Sequence, residues 1–153
     1  MAETRVLSPR VAPIGADRTD ELCDLLDDWR DDMPAVNRTQ VANGQVTALA
    51  VFDGEEIVGG YLFETVPHAN EILAMAVRPD VRRQGIGRLM CMDALFRSGK
   101  RPLVLTASDA SVGFAKAVGF KMVGKRKQPD GSLLTRLGWH APRPSDAPGT
   151  GVC

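Results

Sequence analysis

The chain has 153 residues, 44% hydrophobic and 25% charged, with a formal net charge of zero. This composition is ordinary for one globular domain, its neutrality gives no argument for nucleic acid or a membrane surface, and no apolar run approaches the length of a membrane span. Three cysteines without metal-ligand spacing indicate reduced thiols in a cytoplasmic protein. We therefore expect a cytoplasmic domain with no metal, no nucleic-acid partner and no membrane partner.

The first half of the chain is predicted to hold a strand, two helices and three strands. The first helix is expected over Asp17–Met33, because its apolar residues recur at helical spacing and Pro34 then ends it. Gly59 and Gly60 mark a bulge or a close backbone approach within a strand. The other predicted elements are a strand at Arg5–Val11, a short helix at Asn37–Asn43, and strands at Val46–Phe52, Ile57–Val66 and Glu71–Val77.

The second half is predicted to alternate helices with strands and to end in a hairpin. The expected elements are helix Gly85–Arg97, strand Leu103–Ala107, helix Ser111–Val118, and strands Lys121–Lys125 and Leu133–Trp139. Residues 141–153 hold three prolines and two glycines, which indicates an irregular tail. We therefore expect one domain over residues 1–140, followed by this tail.

The two halves of the chain differ in charge. Residues 17–32 carry eight acids and two arginines, whereas residues 78–130 carry twelve lysines and arginines and four acids. One interpretation is two solvated faces of opposite sign. The other is that the basic half receives an anionic ligand, while the acidic helix lies near a cationic one.

The most informative segment lies between the predicted strand Glu71–Val77 and the helix that follows it. Gly85 and Gly87 stand at this junction, together with Arg82, Arg83 and Arg88. The first N–H groups of a helix have no intrahelical partner, and the helix dipole adds positive charge there. Glycines let a ligand approach the backbone closely. The segment therefore predicts a pyrophosphate site, the alternative being an arginine-rich solvated loop.

Two common phosphate motifs do not fit this segment. A Walker loop needs Gly-Lys-Ser/Thr, and a dinucleotide fingerprint needs a third glycine where Met90 stands. The pattern over residues 76–87, with Arg82, Gly85 and Gly87 at its end, instead resembles motif A of the GCN5-related N-acetyltransferases (GNAT). In that superfamily an Arg/Gln-x-x-Gly-x-Gly/Ala segment holds the pyrophosphate of acetyl-coenzyme A.

The resemblance implies a fold and a set of coenzyme contacts. The fold is α/β, a mixed central sheet flanked by helices, in which two parallel strands splay apart and hold coenzyme A. The coenzyme contacts that it implies are Met75, Ala76 and Val77 for the pantetheine arm, the loop residues Arg82, Arg83, Gln84, Gly85, Ile86, Gly87 and Arg88 for the pyrophosphate, and Ser108 and Phe114 further on.

The resemblance also implies a general base. Transfer to an amine needs a group that removes its proton, and the superfamily uses a glutamate at the head of the motif strand, which here is Glu71. A solvated glutamate at a strand start is the alternative. Glu64 on the neighbouring strand is the second choice of base, and His68 and His140 are expected to be solvent-exposed rather than catalytic.

The chain departs from the superfamily in the segment Phe114–Phe120. The tyrosine that commonly protonates the leaving thiolate is replaced by Ala115, and Tyr61 is the only tyrosine in the chain. Either the thiolate leaves without this acid, or the chain binds the coenzyme without efficient catalysis. Ala115 also enlarges the pocket, which leaves room for a longer acyl group.

The resulting hypothesis is an N-acetyltransferase that uses acetyl-CoA and an unknown amine acceptor. The alternative is a non-catalytic acyl-CoA-binding or sensing module. The superfamily often dimerises, and the apolar strand segment Leu133–Leu137 is a candidate edge for a homodimer.

Overall fold

The computed structural model describes residues 7–30, 33–42 and 46–139. Within them, seven strands form one sheet in the order β1-β2-β3-β4-β5-β7-β6. Its strands are β1 (Pro9–Pro13), β2 (Val46–Asp53), β3 (Glu56–Val66), β4 (Ala69–Val77), β5 (Leu103–Ala107), β6 (Lys121–Lys127) and β7 (Leu133–Trp139). All neighbouring strands are antiparallel except β4 and β5, which are parallel. This is the mixed α/β fold that the resemblance implied.

Four helices and one 3-10 turn accompany the sheet. They are α1 (Ala16–Trp29), α2 (Arg38–Ala42), α3 (Ile86–Ser98), α4 (Asp109–Val118) and the turn Pro79–Val81. Helix α3 connects β4 to β5, as a crossover between parallel strands usually does. No helix of the described part combines the length and apolar character needed to cross a membrane, and no cluster of His, Cys, Asp or Glu there could hold a metal ion.

Alternating strand residues give the sheet two apolar faces. On β2, Leu49 and Val51 pack in the cluster that contains α3 and α4, whereas Ala48 and Ala50 pack in the cluster that contains α1. This alternation is the period-2 pattern of a strand covered on both sides. The helices therefore form one layer on each side of the sheet.

The glycine pair on β3 lets the helices come close to the sheet. A Cβ on Gly60 would lie 2.6 Å from Leu22 of α1, and a Cβ on Gly59 would lie 3.2 Å from Ile86 of α3. The register between β2 and β3 also shifts beside this pair, between Val51 and Phe52. Both parts of the sequence prediction are confirmed, since the glycines lie next to a bulge and at a close approach.

The parallel strands β4 and β5 separate part-way along their length. Their pairing runs from Asn70–Leu103 to Ile72–Leu105 and then stops. On the other side of β4, the register skips Leu73, because Leu62 pairs with Ala74 and Phe63 pairs with Ile72. Beyond Ile72, β4 is therefore bulged and unpaired along its β5 side, which is the splay that the resemblance implied.

Several predicted element boundaries were wrong. The first helix ends at Trp29 rather than Met33, because Arg30 is extended (φ −66°, ψ 148°). Strand β1 (Pro9–Pro13) ends at Pro13 rather than at the predicted Val11, and its predicted start, Arg5, lies outside the described residues. The predicted dimer edge is wrong as well, since β7 lies inside the sheet between β5 and β6. His140 and the tail 141–153 also lie outside the described residues.

Candidate active site

The loop between β4 and α3 presents backbone N–H groups at the start of a helix. Gly85 is the N-cap with φ 84°, and its carbonyl accepts the first helical bond from the N–H of Leu89. Residues 86–88 precede Leu89 in the helix, so their N–H groups have no intrahelical partner. Arg83 also has a positive φ, 65°, an uncommon conformation for a residue with a side chain. The backbone at the N-terminus of α3 therefore has an arrangement that can receive an anion.

The arginines of this loop have different surroundings. The Arg82 guanidinium donates to the backbone carbonyls of Val77 (3.0 Å) and Trp29 (2.5 Å), so it ties the loop to the end of α1. Arg83 and Arg88 are exposed to solvent. From the sequence, all three arginines were predicted to contact the pyrophosphate. In the structure the Arg82 side chain holds the loop in place, whereas those of Arg83 and Arg88 are open to a ligand.

Gly87 lies under the ring of Phe114 from α4. A Cβ built on Gly87 would come within 3.0 Å of that ring. The ring is partly exposed and lines the cleft described next. The absence of a side chain at Gly87 therefore lets α4 pack against the first turn of α3, in addition to leaving the loop backbone open.

A cleft of about 330 Å³ lies at the point where β4 and β5 separate. One wall is the unpaired part of β4, and the opposite wall comes from β5 and α4. The end of α1 and the segment that leads into α2 form its outer rim. Its lining includes Leu26, Asp27, Arg30, Asn37, Gln40, Glu71, Leu73, Ala74, Met75, Cys91, Thr106, Ser111, Phe114, Ala115, Arg126, Gln128 and Leu134. The cleft therefore extends without interruption from the gap between β4 and β5 to the region beside the acidic helix α1.

Glu71 lines this cleft, in the last paired stretch of β4 before the splay. Its Oε1 accepts a hydrogen bond from Nη1 of Arg136 at 3.1 Å, and the same nitrogen donates to the hydroxyl of Thr106 at 3.0 Å. Arg136 is the one hydrogen-bonding partner of the Glu71 side chain among the described residues. The carboxylate is therefore held from one side and faces the cleft.

Among the described residues, the other candidate acid–base groups do not line this cleft. Glu64 is buried and accepts a bond from the Gln40 side chain at 2.9 Å, and His68 is exposed in a turn. Tyr61 is fully buried, and its hydroxyl donates to Asp93 of α3 at 2.5 Å. Burial, aided by the Asp93 carboxylate, raises the pKa of Tyr61 far above its ordinary value. Tyr61 is thus a core residue rather than a proton donor in the cleft.

The predicted coenzyme contacts on β4 and at Ser108 differ in their access to the cleft. Met75 lines the cleft, whereas Ala76 is buried in the cluster against α1 and the Val77 carbonyl accepts from Arg82. Ser108 is buried, with its hydroxyl 3.3 Å from that of Ser111. Ser111, one turn further along α4, lines the cleft instead.

Ala115 leaves the α4 side of the cleft without a hydroxyl at that position. It is buried, and so is Cys91 of α3, which also lines the cleft. Burial raises the pKa of the Cys91 thiol to about 12. The thiol is therefore neutral at physiological pH, and this end of the cleft is small and apolar.

Sequence reasoning missed Arg136, Thr106, Gln40 and Cys91. Arg136 had a visible signal, because it is the one charged residue within the apolar strand Leu133–Trp139. A charge in such a position needs a partner. Its partner, Glu71, is 65 residues away along the chain, so the pairing could not be inferred from local pattern.

Comparison with known proteins identifies the family. Residues 17–140 match the model of the acetyltransferase (GNAT) domain. A peptidyl-lysine N-acetyltransferase, YjaB of Salmonella typhimurium (strain LT2), is 36% identical over 83 residues, which are 54% of this chain and 54% of that protein. The chain thus matches about half the length of this curated relative.

Solved structures share the fold. An acetyltransferase from Bacillus subtilis in complex with CoA has a TM-score of 0.70 and 19% identity, over 88% of this chain and 99% of that one. The ribosomal-protein-S18-alanine N-acetyltransferase from Escherichia coli has a TM-score of 0.67 and 18% identity, over 86% and 93%. The family match spans the splayed strands, the glycine loop and Glu71, and the chain belongs to the GNAT acetyltransferase family.

Proposed function

We propose that this protein transfers an acetyl group from acetyl-CoA to an amine, with Glu71 as the general base. The observation that carries the proposal is the continuity of the cleft. It runs along the unpaired part of β4, and Glu71 lies on its lining just before the strands separate. A coenzyme arm in the gap and an amine at the rim would then meet beside this carboxylate.

In this proposal the loop and β4 bind the coenzyme. The N–H groups of residues 86–88 and the open side chains of Arg83 and Arg88 receive the pyrophosphate. The pantetheine arm pairs with the backbone of Leu73–Val77, whose β5 side has no paired strand. Met75 and Phe114 contact the arm from the two walls of the cleft.

The chemistry requires a neutral amine, although a free alkyl amine is mostly protonated near pH 7. Glu71 removes the proton, directly or through water, and the amine attacks the thioester carbonyl. A backbone N–H at the β4 bulge stabilises the developing oxyanion. Holding both substrates in one cleft supplies a further part of the rate.

The leaving thiolate has no tyrosine to protonate it in this cleft. Ala115 stands at the position from which the superfamily tyrosine acts, and the hydroxyl of Tyr61 is hydrogen-bonded to Asp93. The Cys91 thiol is buried in apolar surroundings. A thiolate is a moderate base, so its departure depends less on an acid than that of an alkoxide. We propose that it leaves as the thiolate or takes its proton from water.

The acceptor is proposed as a primary amine on a small molecule or a protein. The outer rim of the cleft comes from the end of α1 and the segment before α2, and Asp27 of α1 pairs there with Arg38. Glu71 faces the same cleft from β4. The curated relative is named for peptidyl-lysine, which supports a lysine side chain as one acceptor to test.

The cellular setting is part of the same proposal. Cys23 and Cys91 are buried free thiols, which suits the reducing cytoplasm.

A homodimer is also proposed, with β6 rather than β7 at its edge, since Met122 and Val123 on this outer strand are exposed.

A second candidate is an acyl-CoA-binding module without turnover, favoured by Ala115. One experiment separates the two. Release of coenzyme A is measured with acetyl-CoA and a panel of amines that includes lysine peptides, and calorimetry measures coenzyme binding. We expect binding and turnover in the wild type. Gly87→Glu is expected to lose both, because its side chain meets Phe114 and brings negative charge into the phosphate site. Binding without turnover of any amine would favour the module.

A further inference from the structure

Arg136 is the one charged residue of β7 (Leu133–Trp139). It lies on β7, between β5 and β6, and β7 residues Leu134 and Leu137 beside it are buried. Its own side chain is 28% exposed and that of Glu71 is 16% exposed. Removing a guanidinium from water is unfavourable unless it is paired. The pair with Glu71 meets that requirement, and it brings Arg136 to the edge of the cleft.

The contact crosses a strand. Arg136 is directly opposite Thr106 of β5, and Glu71 is on β4 at the far side of β5. The guanidinium therefore extends over β5, and its Nη1 donates to the Thr106 hydroxyl and to Glu71 Oε1. Two acceptors on two different strands fix the position of this nitrogen, and through it one oxygen of the carboxylate.

We propose that Arg136 is a positioning residue for Glu71, with Thr106 as its anchor. This inference rests on the proposed role of Glu71 as general base. Glu71 has rotatable side-chain bonds and one hydrogen-bonding partner among the described residues. Arg136 holds Oε1, so that Oε2 is directed toward the amine. Without it, the carboxylate samples several rotamers, and fewer of them reach the amine proton.

The inference predicts that Arg136 acts on turnover only through Glu71. The test is a double-mutant cycle on the full chain, with wild type, Arg136→Met, Glu71→Gln and the combined variant. Arg136→Met keeps the length of the alkyl chain and removes the charge. We expect it to lower kcat roughly 10-fold to 100-fold, as loss of alignment does, with KM for acetyl-CoA unchanged. In the Glu71→Gln background it should change kcat by less than about twofold.

Two further variants complete the design. Thr106→Val removes the anchoring hydroxyl with little change in volume, and it should lower kcat less than Arg136→Met, again without effect in the Glu71→Gln background. Arg18→Met is the matched control, because Arg18 pairs with Glu21 on α1 away from the cleft. Its kcat should equal that of the wild type.

Three results would overturn the inference, and each is distinguishable from the others. If Arg136→Met lowers kcat by the same factor in both backgrounds, Arg136 acts independently of Glu71 and the general-base proposal stands. If Arg136→Met retains or raises kcat, the contact is unimportant or inhibitory. If Glu71→Gln alone retains full turnover, the general-base proposal fails, and the positioning role fails with it.

Discussion

Glu64 and Glu71 are directly opposite each other on β3 and β4, yet they have separate partners and different access to the cleft. Opposite residues of an antiparallel pair share one face of the sheet. Glu64 is covered by Gln40, whereas Glu71 lines the cleft and is held by Arg136. Sequence alone offered both as bases, and this arrangement favours Glu71.

Arg82 and Arg83 are neighbours that should respond differently to substitution. Arg82→Ala loses the bonds to Val77 and Trp29, so the free energy of unfolding should fall by about 1.5–3 kcal/mol. Arg83→Ala should change stability by no more than about 0.5 kcal/mol, yet weaken acetyl-CoA binding by about 1.5–3 kcal/mol. Chemical denaturation and calorimetry measure the two quantities. Equal effects of both variants on stability would contradict this division.

Tyr61 is expected to contribute to stability and not to chemistry. Tyr61→Phe removes the hydroxyl that donates to Asp93, which then keeps Arg97 as its partner at 2.7 Å. The free energy of unfolding should fall by about 1–3 kcal/mol. Coenzyme release with a reactive amine should proceed at the wild-type rate in the folded variant. A loss of kcat with unchanged stability would instead make Tyr61 the missing acid.

Cys91 lines the cleft but should not act as a nucleophile. Because burial raises its pKa to about 12, the thiol stays protonated as the pH rises from 6 to 9, and no thiolate is available to attack the thioester. Cys91→Ala should therefore retain kcat within about threefold, with the same pH profile. Mass spectrometry of the wild type with acetyl-CoA should find no acetyl group on Cys91. A stable acetyl-cysteine that is consumed on adding amine would refute this expectation.

Much of the fold could be predicted from the sequence because its signals are local. The apolar run of β4, the glycines at the start of α3 and the glycine after α4 each specify a boundary within a few residues. The end of α1 could not be predicted in this way. The apolar period continues to Met33, but the chain becomes extended at Arg30, whose side chain donates to the Met33 carbonyl.

The part of the candidate site that depends on the local backbone could be predicted. The part that depends on contacts between residues far apart in the sequence could not. The loop before α3 and the splay of β4 from β5 follow from the family motif. The direction of the Arg82 guanidinium depends on Trp29, which is 53 residues away, and the surroundings of Glu71 depend on Arg136. No local pattern encodes either contact.

The most direct test of the account is the turnover of Glu71→Gln, which preserves the shape of the side chain and removes its basicity. With an amine that the wild type acetylates, we expect kcat near pH 7 to fall roughly 10²-fold or more, with acetyl-CoA affinity about the same. The loss should shrink as pH rises, because more of the amine is then already neutral. Full turnover of Glu71→Gln near pH 7 would contradict the account and make Glu64 the next residue to test.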